Sequence, residues 1–275
     1  MTSDKGFRAV MLVCLWIVLA FMYIPIIAII GMSFNATKYG MFPYVFTTKW
    51  YTTLFTTSNL LPAAVFSLRF SFLVTVAAVI LGTLCAYGLQ YYSPKWAARF
   101  NFVLQLPIIF PWLVTAISLL LLFSFIGSGR SYLSMFFGNL IVVLPYVVLL
   151  VNGRFLEMDR TPESAALLLG ASPVRVFFDI TLPVILPGML AGGIMAMIMC
   201  FNNFVLQYYL IPVGENTLPT LVFTRIRSGY QADLNALSAI IVIIAVIVVI
   251  LLSKLGFTAG SLMGMPSGGN RKGNG

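Results

Sequence analysis

The sequence predicts an all-α integral membrane protein with six transmembrane helices. Three observations carry that prediction. Of its 275 residues, 60% are hydrophobic and only 8% charged, against about 25% charged in an ordinary soluble domain. So few charges cannot clothe a water-facing surface, so lipid must cover much of it. Six stretches are each apolar for the roughly 20 residues that cross about 30 Å of hydrocarbon. The Lys and Arg residues are scattered at the ends of those stretches, which is how basic side chains record orientation.

Taken in order, the first stretch is 9–32. It is too long for a signal-peptide core and lacks an A-x-A-like cleavage site, so it reads as a retained helix. The loop after it contains "FTTKWYTTLF", expected to be ordered and amphipathic. The second span is 67–91. The third, 102–126, carries Pro107 and Pro111 as kinks. The fourth is 134–151. The fifth, 182–211, is longer than a span requires and is expected to tilt or to lie only partly in lipid. The sixth is 234–254, and the Gly-rich tail "GMPSGGNRKGNG" is expected to be flexible. With the N-terminus in the cytoplasm, the inner segments hold Lys5, Arg8, Lys95, Arg99, Arg154, Arg160, Arg175, Lys254, Arg271 and Lys272. The outer ones hold Lys38, Lys49, Arg130, Arg225 and Arg227. Ten against five favours cytoplasmic N- and C-termini.

Several chemistries drop out. The chain has no His, which removes His-based catalysis and His metal ligands. Cys14, Cys85 and Cys200 fall in three different spans without metal-ligand spacing. There is no G-x-x-x-x-G-K-[ST] phosphate loop. The net charge of +9 is not gathered into the basic face that nucleic acid needs. No catalytic residue, metal, cofactor or nucleic-acid partner is therefore expected.

One stretch between spans four and five stands apart: "RTPESAALLLGASPVRVFFDITLP", residues 160–183. Four of the seven acidic residues lie in or just before it. Thr161 can cap a helix, Pro162 suits its first position and Glu163 complements its dipole. Gly170 can supply a left-handed stop. Ser172 and Pro173 restart a short helix over about 174–178, and Pro183 and Pro187 punctuate the entry to span five. Leu167, Leu168 and Leu169 form an apolar ridge, while Ala165, Ala166 and Ala171 permit close approach. On composition alone, an ordinary interfacial helix fits equally well.

The spacing, however, resembles the EAA loop of permease subunits of binding-protein-dependent ABC importers. That pattern is E-A-A-x-x-x-G, nine residues, then I-x-L-P. Ala165 and Ala166 fit the alanines, Gly170 fits the glycine, and Ile180, Leu182 and Pro183 follow at the right distance. Ser164 stands where the family has Glu. Glu163 is one residue earlier, a rotation of about 100° on a helix. "YIPIIAIIGMSFN", "FTTKWYTTLF", "AISLLLLF" and "LNALSAI" are similar to the spermidine/putrescine-type (MetI-like) group.

The resemblance implies a type I ABC importer permease fold with a cytoplasmic coupling helix that docks into a groove on a separate ATPase. Its coupling residues would be Glu163, Ser164, Ala165, Ala166, Gly170, Ile180 and Pro183. It implies a second permease subunit, two ATPase subunits and a periplasmic binding protein as partners. It also implies a bacterial inner-membrane location and no ATP hydrolysis by this chain. The organisation expected is a first helix and outer loop (1–60), a permease core (61–255) and a tail (256–275).

Span five carries "CFNNFVLQYYL". Asn202, Asn203, Gln207 and Tyr208 there either line a translocation path or serve as interhelical glue, worth about 0.6 kcal/mol each. Trp112 in span three is either a packing residue or part of the same wall; Asn139 and Asn152 are weaker candidates. The outer segment 212–233, with Arg225 and Arg227, is expected to receive the binding protein. In the spermidine/putrescine-type group, positions near Trp112 and Asn202–Asn203 tend to be acidic. Here they are aromatic and neutral, and no span interior holds a carboxylate. That speaks against the main alternative, a self-sufficient channel or proton-coupled carrier. The cargo expected is a small organic solute: a polyamine, an amino-acid-like or another amine-containing compound, with a neutral, zwitterionic or anionic solute fitting at least as well.

Overall fold

The computed structural model describes residues 3–37, 43–92, 94–229 and 232–254. Lys38, Arg271, Lys272 and the expected tail lie outside them. The helices run α1 (Ser3–Met32), α2 (Lys49–Thr56), α3 (Leu60–Tyr91), α4 (Pro94–Ile109), α5 (Trp112–Phe125), α6 (Tyr132–Glu157), α7 (Thr161–Leu168) and α8 (Pro173–Val176). A π-helical turn (Phe177–Thr181) then leads into α9 (Leu182–Asn202), followed by α10 (Phe204–Leu210), α11 (Leu218–Ser228) and α12 (Asp233–Lys254).

Among the described residues, four helices are long and apolar enough to cross a membrane: Gly6–Met32, Leu60–Tyr91, Tyr132–Glu157 and Pro173–Asn202. The third expected span is not one helix. Arg99–Ile109 and Trp112–Phe125 meet at 102°. The cause is Pro111. It has no N–H to give, its ring excludes the carbonyl four residues back, and it forces Phe110 out of helical geometry. Counting that bent pair as one span gives five, and α12 adds only a shorter apolar helix over Asp233–Ile247.

The fifth span is also recast. Pro183 does not interrupt it, because Pro173–Asn202 runs as one helical stretch. The wide turn at Phe177–Thr181, where the Leu182 N–H reaches the Phe177 carbonyl, accommodates the missing donor of Pro183. The break comes at the other end, at Asn203 (φ −76°, ψ 76°). There the Asn203 side chain accepts from the Leu206 N–H at 3.1 Å and starts α10 afresh.

The chain divides into two compact units, one formed by Met1–Ala63 with Leu221–Leu251 and the other containing Ala64–Thr220. In the first, the stretch "FTTKWYTTLF" is ordered, as expected, most of it forming α2. The Ala36 N–H reaches the Val45 carbonyl and the Thr47 N–H the Phe34 carbonyl, each at 2.7 Å. Phe34 stacks on Phe46, and Trp50 Nε1 donates to the Asn35 carbonyl at 2.6 Å. The Leu54 side chain of α2 is buried.

The second unit is organised on α6, the most buried span. Small residues let neighbouring backbones approach it, the usual device where lipid removes the hydrophobic driving force. A Cβ at Gly192 of α9 would lie 3.1 Å from Val147 Cα, and one at Gly82 of α3 only 2.8 Å from Val147 Cγ1. Val147 therefore sits wedged between α3 and α9. Further along α6, the short helix α10 packs beside α5 and α6.

Candidate functional site

Residues 159–183 build a knob from local chemistry. α7 begins at Thr161, not after it, so Thr161 is a helical residue and Pro162 takes the second position. The cap comes from Asp159, whose Oδ1 accepts from the Thr161 N–H at 2.9 Å and the Thr161 hydroxyl at 2.7 Å. Those bonds hold the Asp159 carboxyl below its ordinary pKa. At the other end, Gly170 has φ +87°. Its N–H reaches the Leu167 carbonyl and the Ala171 N–H the Ala166 carbonyl, both at 3.0 Å. This is the two-bond Schellman stop. Ser172 caps α8 through the Arg175 N–H.

A Cβ at Gly170 would meet nothing within 4 Å, so a larger residue costs only backbone strain, about 1–2 kcal/mol. Gly170→Val should leave the subunit inserted and folded but swing α7 out of place. Thermal stability is expected to fall by that amount, and an unchanged melting temperature would show that the bend does not matter.

The ridge is presented outward. Leu168 and Leu169 are 89% and 88% exposed, and Leu167 is exposed as well. Ser164 and Ala165 are exposed, Ala166 and Ile180 half-buried, and Pro183 exposed on α9. Glu163 behaves differently from the residues around it. It is only 4% exposed, and its carboxylate accepts from the Tyr91 hydroxyl at 2.5 and 2.6 Å and from the Thr181 hydroxyl. Arg160 lies with its guanidinium 4.7 Å from the centre of the Tyr91 ring and donates to Gln90 Oε1 at 3.2 Å. Gln90 in turn donates to Asn152 of α6. Tyr91, Thr181, Gln90 and Arg160 were absent from the sequence-derived site, although a buried carboxylate demands hydroxyl or cationic partners.

The polar residues of span five separate into two kinds. Asn203 and Gln207 are buried. Asn203 caps α10, and Gln207 Nε2 donates to the Cys200 carbonyl across the helix break at 2.7 Å. Cys200 reaches Asn139, which bonds the Met135 carbonyl. These groups hold the break together. Asn202 and Tyr208 are exposed, and Trp112, half-buried, opens α5, the helix against which α10 packs. The carboxyl end of α10 is held by Arg130, whose Nε donates to the Ile211 carbonyl at 3.0 Å and Nη2 to the Tyr208 carbonyl at 3.3 Å.

Arg225 is not presented for docking. Its Nη1 lies 2.5 Å from Asp233 Oδ2, with both side chains largely buried, and Ser58 donates to the same carboxylate oxygen. The pair ties the last turn of α11 to the first residue of α12. Arg227 remains exposed, beside the Phe223 ring.

Comparison with known proteins places these features in context. Residues 78–259 match the family described as binding-protein-dependent transport system inner membrane component. The putrescine transport system permease protein PotI of Escherichia coli (strain K12) is 32% identical over 229 residues, 81% of this chain and 82% of that one. The spermidine/putrescine transport system permease protein PotC of Haemophilus influenzae is 30% identical over 228 residues, covering 83% and 89%. Among solved structures, a bacterial ABC transporter involved in the import of the acidic polysaccharide alginate superimposes with a TM-score of 0.69 at 19% identity, over 94% of this chain and 99% of that one. The MetNI methionine ABC transporter gives a TM-score of 0.53 at 14% identity, over 77% and 100%.

Proposed function

The chain belongs to the family of binding-protein-dependent transport system inner membrane components, and from that premise we propose how it works. It is a permease subunit of an ABC importer. In our reading it pairs with a second permease and docks two separate ATPase subunits through α7 and its counterpart. It receives its solute from a periplasmic binding protein. The chain spans the membrane six times with both termini inside, α4 and α5 together forming one broken span and α12 the last. ATP hydrolysis belongs to the partners. The observation that carries this reading is the capped, outward-facing leucine ridge of α7, a stable apolar surface on an otherwise water-facing knob. Co-expression with the neighbouring gene products should yield a four-subunit core. A transport-competent complex without any ATPase would overturn the proposal.

The relatives named for putrescine and spermidine support a small amine-containing solute, whether polyamine, amino-acid-like or otherwise. The exposed Asn202, Tyr208 and half-buried Trp112 are the path candidates; Asn203 and Gln207 support them from behind. Asn202→Leu should cut transport several-fold while assembly and basal ATP hydrolysis persist. Asn203→Leu should instead cost about 1 kcal/mol of stability through the lost cap. Thermal unfolding and uptake measured on the same preparations separate the two, and a transport loss from neither variant would move the path away from this cluster.

Binding-protein docking rests on the outer segment and Arg227, since Arg225 is engaged with Asp233. Arg227→Glu should weaken binding-protein-stimulated ATP hydrolysis about two- to tenfold and leave basal hydrolysis alone, with the effect fading as salt rises. Equal stimulation in variant and parent would remove Arg227 from the docking surface.

A further inference from the structure

We propose that Glu163 is a positioning residue that ties the docking helix to two membrane helices, and that it transmits movement between them without touching the ATPase. The proposal rests on the reading of α7 as the docking helix. Three observations carry it. The carboxylate is buried, at 4% exposure, while Leu168 and Leu169 are almost fully exposed, so it has no face to offer the partner that those leucines meet. Its two hydroxyl donors come from different places: Tyr91 is the last residue of α3, and Thr181 the last residue of the π-helical turn from which α9 rises. The tie is also braced. Tyr91 stacks on Tyr87 with ring centres 4.3 Å apart, Tyr87 meets Phe177 edge-on at 5.3 Å, and Phe155 of α6 closes on Tyr91 at 6.0 Å.

An apolar side chain could anchor a helix here as well, and burying a carboxylate among aromatic rings is unfavourable unless donors meet it. What a carboxylate adds is direction. Its charge-assisted bonds to two fixed hydroxyls, one at the end of α3 and one at the root of α9, fasten α7 to both helices at defined atoms. They also make α7, α3 and the root of α9 move as one body. A push on the ridge then reaches α9, and through it Asn202 at its far end.

The test uses the assembled importer core in a background free of native cysteines, with Asn202→Cys as reporter. Labelling by N-ethylmaleimide is followed with and without ATP and vanadate, and ATP hydrolysis is measured in parallel. The unmodified site should give at least a fivefold nucleotide-dependent change in labelling rate. Thr181→Val, nearly the same in volume but without the hydroxyl, should abolish that change while ATPase co-purification and hydrolysis stay within twofold. Thr181→Ser should restore it. Tyr91→Phe should behave like Thr181→Val, which keeps the test intact if one variant fails to accumulate. A full nucleotide response in both Thr181→Val and Tyr91→Phe overturns the tie while leaving α7 as the docking helix. Loss of ATPase co-purification in Glu163→Gln, with none in Thr181→Val, also overturns it, because Glu163 would then touch the partner. No nucleotide response even with the site intact removes the docking reading, and the tie with it.

Discussion

Replacing Leu168 and Leu169 together by Glu is expected to abolish docking of the ATPase while leaving the subunit folded. The two side chains are almost fully exposed, so no packing within the chain depends on them. Burying a leucine is worth about 1.5–3 kcal/mol. Losing two from an interface therefore removes about 3–6 kcal/mol, roughly 10²–10⁴ in affinity. Introducing two carboxylates adds a desolvation cost in the same direction. Pull-down of the complex and nucleotide hydrolysis in membranes both report the effect. Retained docking in the double variant would mean that the ridge lies in the lipid interface, as an ordinary amphipathic helix would. Leu168→Ala and Leu169→Ala should each weaken docking by a smaller factor.

That knob was legible because its information is local. Gly170 sits where a helix must stop, and the bonds that complete the stop run only from Ala166 and Leu167 to their near neighbours. The apolar stretches were legible for the same reason. What failed to show in the sequence depends on distant partners. Pro111 ends a helix, yet Pro107, Pro145 and Pro187 sit inside unbroken ones. The presence of a proline does not decide between kink and break; the packing of the two halves does. Asn202 and Asn203 are adjacent and chemically identical, but one is exposed and the other is the cap of a new helix. Glu163 was read as a docking residue since its burial is set by Tyr91, 72 residues away. Arg225 was read as a surface charge because its partner Asp233 lies on the next helix, α12.

The largest effect on folding is expected along the seam between α6 and α9, at Gly188 and Gly192. A Cβ added at Gly188 would lie 2.9 Å from the Leu150 carbonyl oxygen and 3.4 Å from Val151 Cα. One at Gly192 would lie 3.1 Å from Val147 Cα. These neighbours are backbone, which cannot rotate away as a side-chain end can. The spacing of four residues puts both glycines on one face of α9, against Val147 and Val151, likewise four apart on α6. Separating the helices would unseat Val147 from its place against Gly82 of α3, so the damage spreads through the unit. Overpacking costs typically about 1–3 kcal/mol per site, and two adjacent sites couple. Gly188→Val with Gly192→Val should therefore leave little folded subunit, and Gly188→Ala should lower thermal stability more than Gly192→Ala. Gly153→Ala on α6 is the control. A Cβ there meets nothing within 4 Å, and alanine favours a helix interior over glycine by up to about 1 kcal/mol, so that variant should be as stable as its parent or slightly more so. Equal stability across all three alanine variants would mean that α6 and α9 do not meet at these glycines.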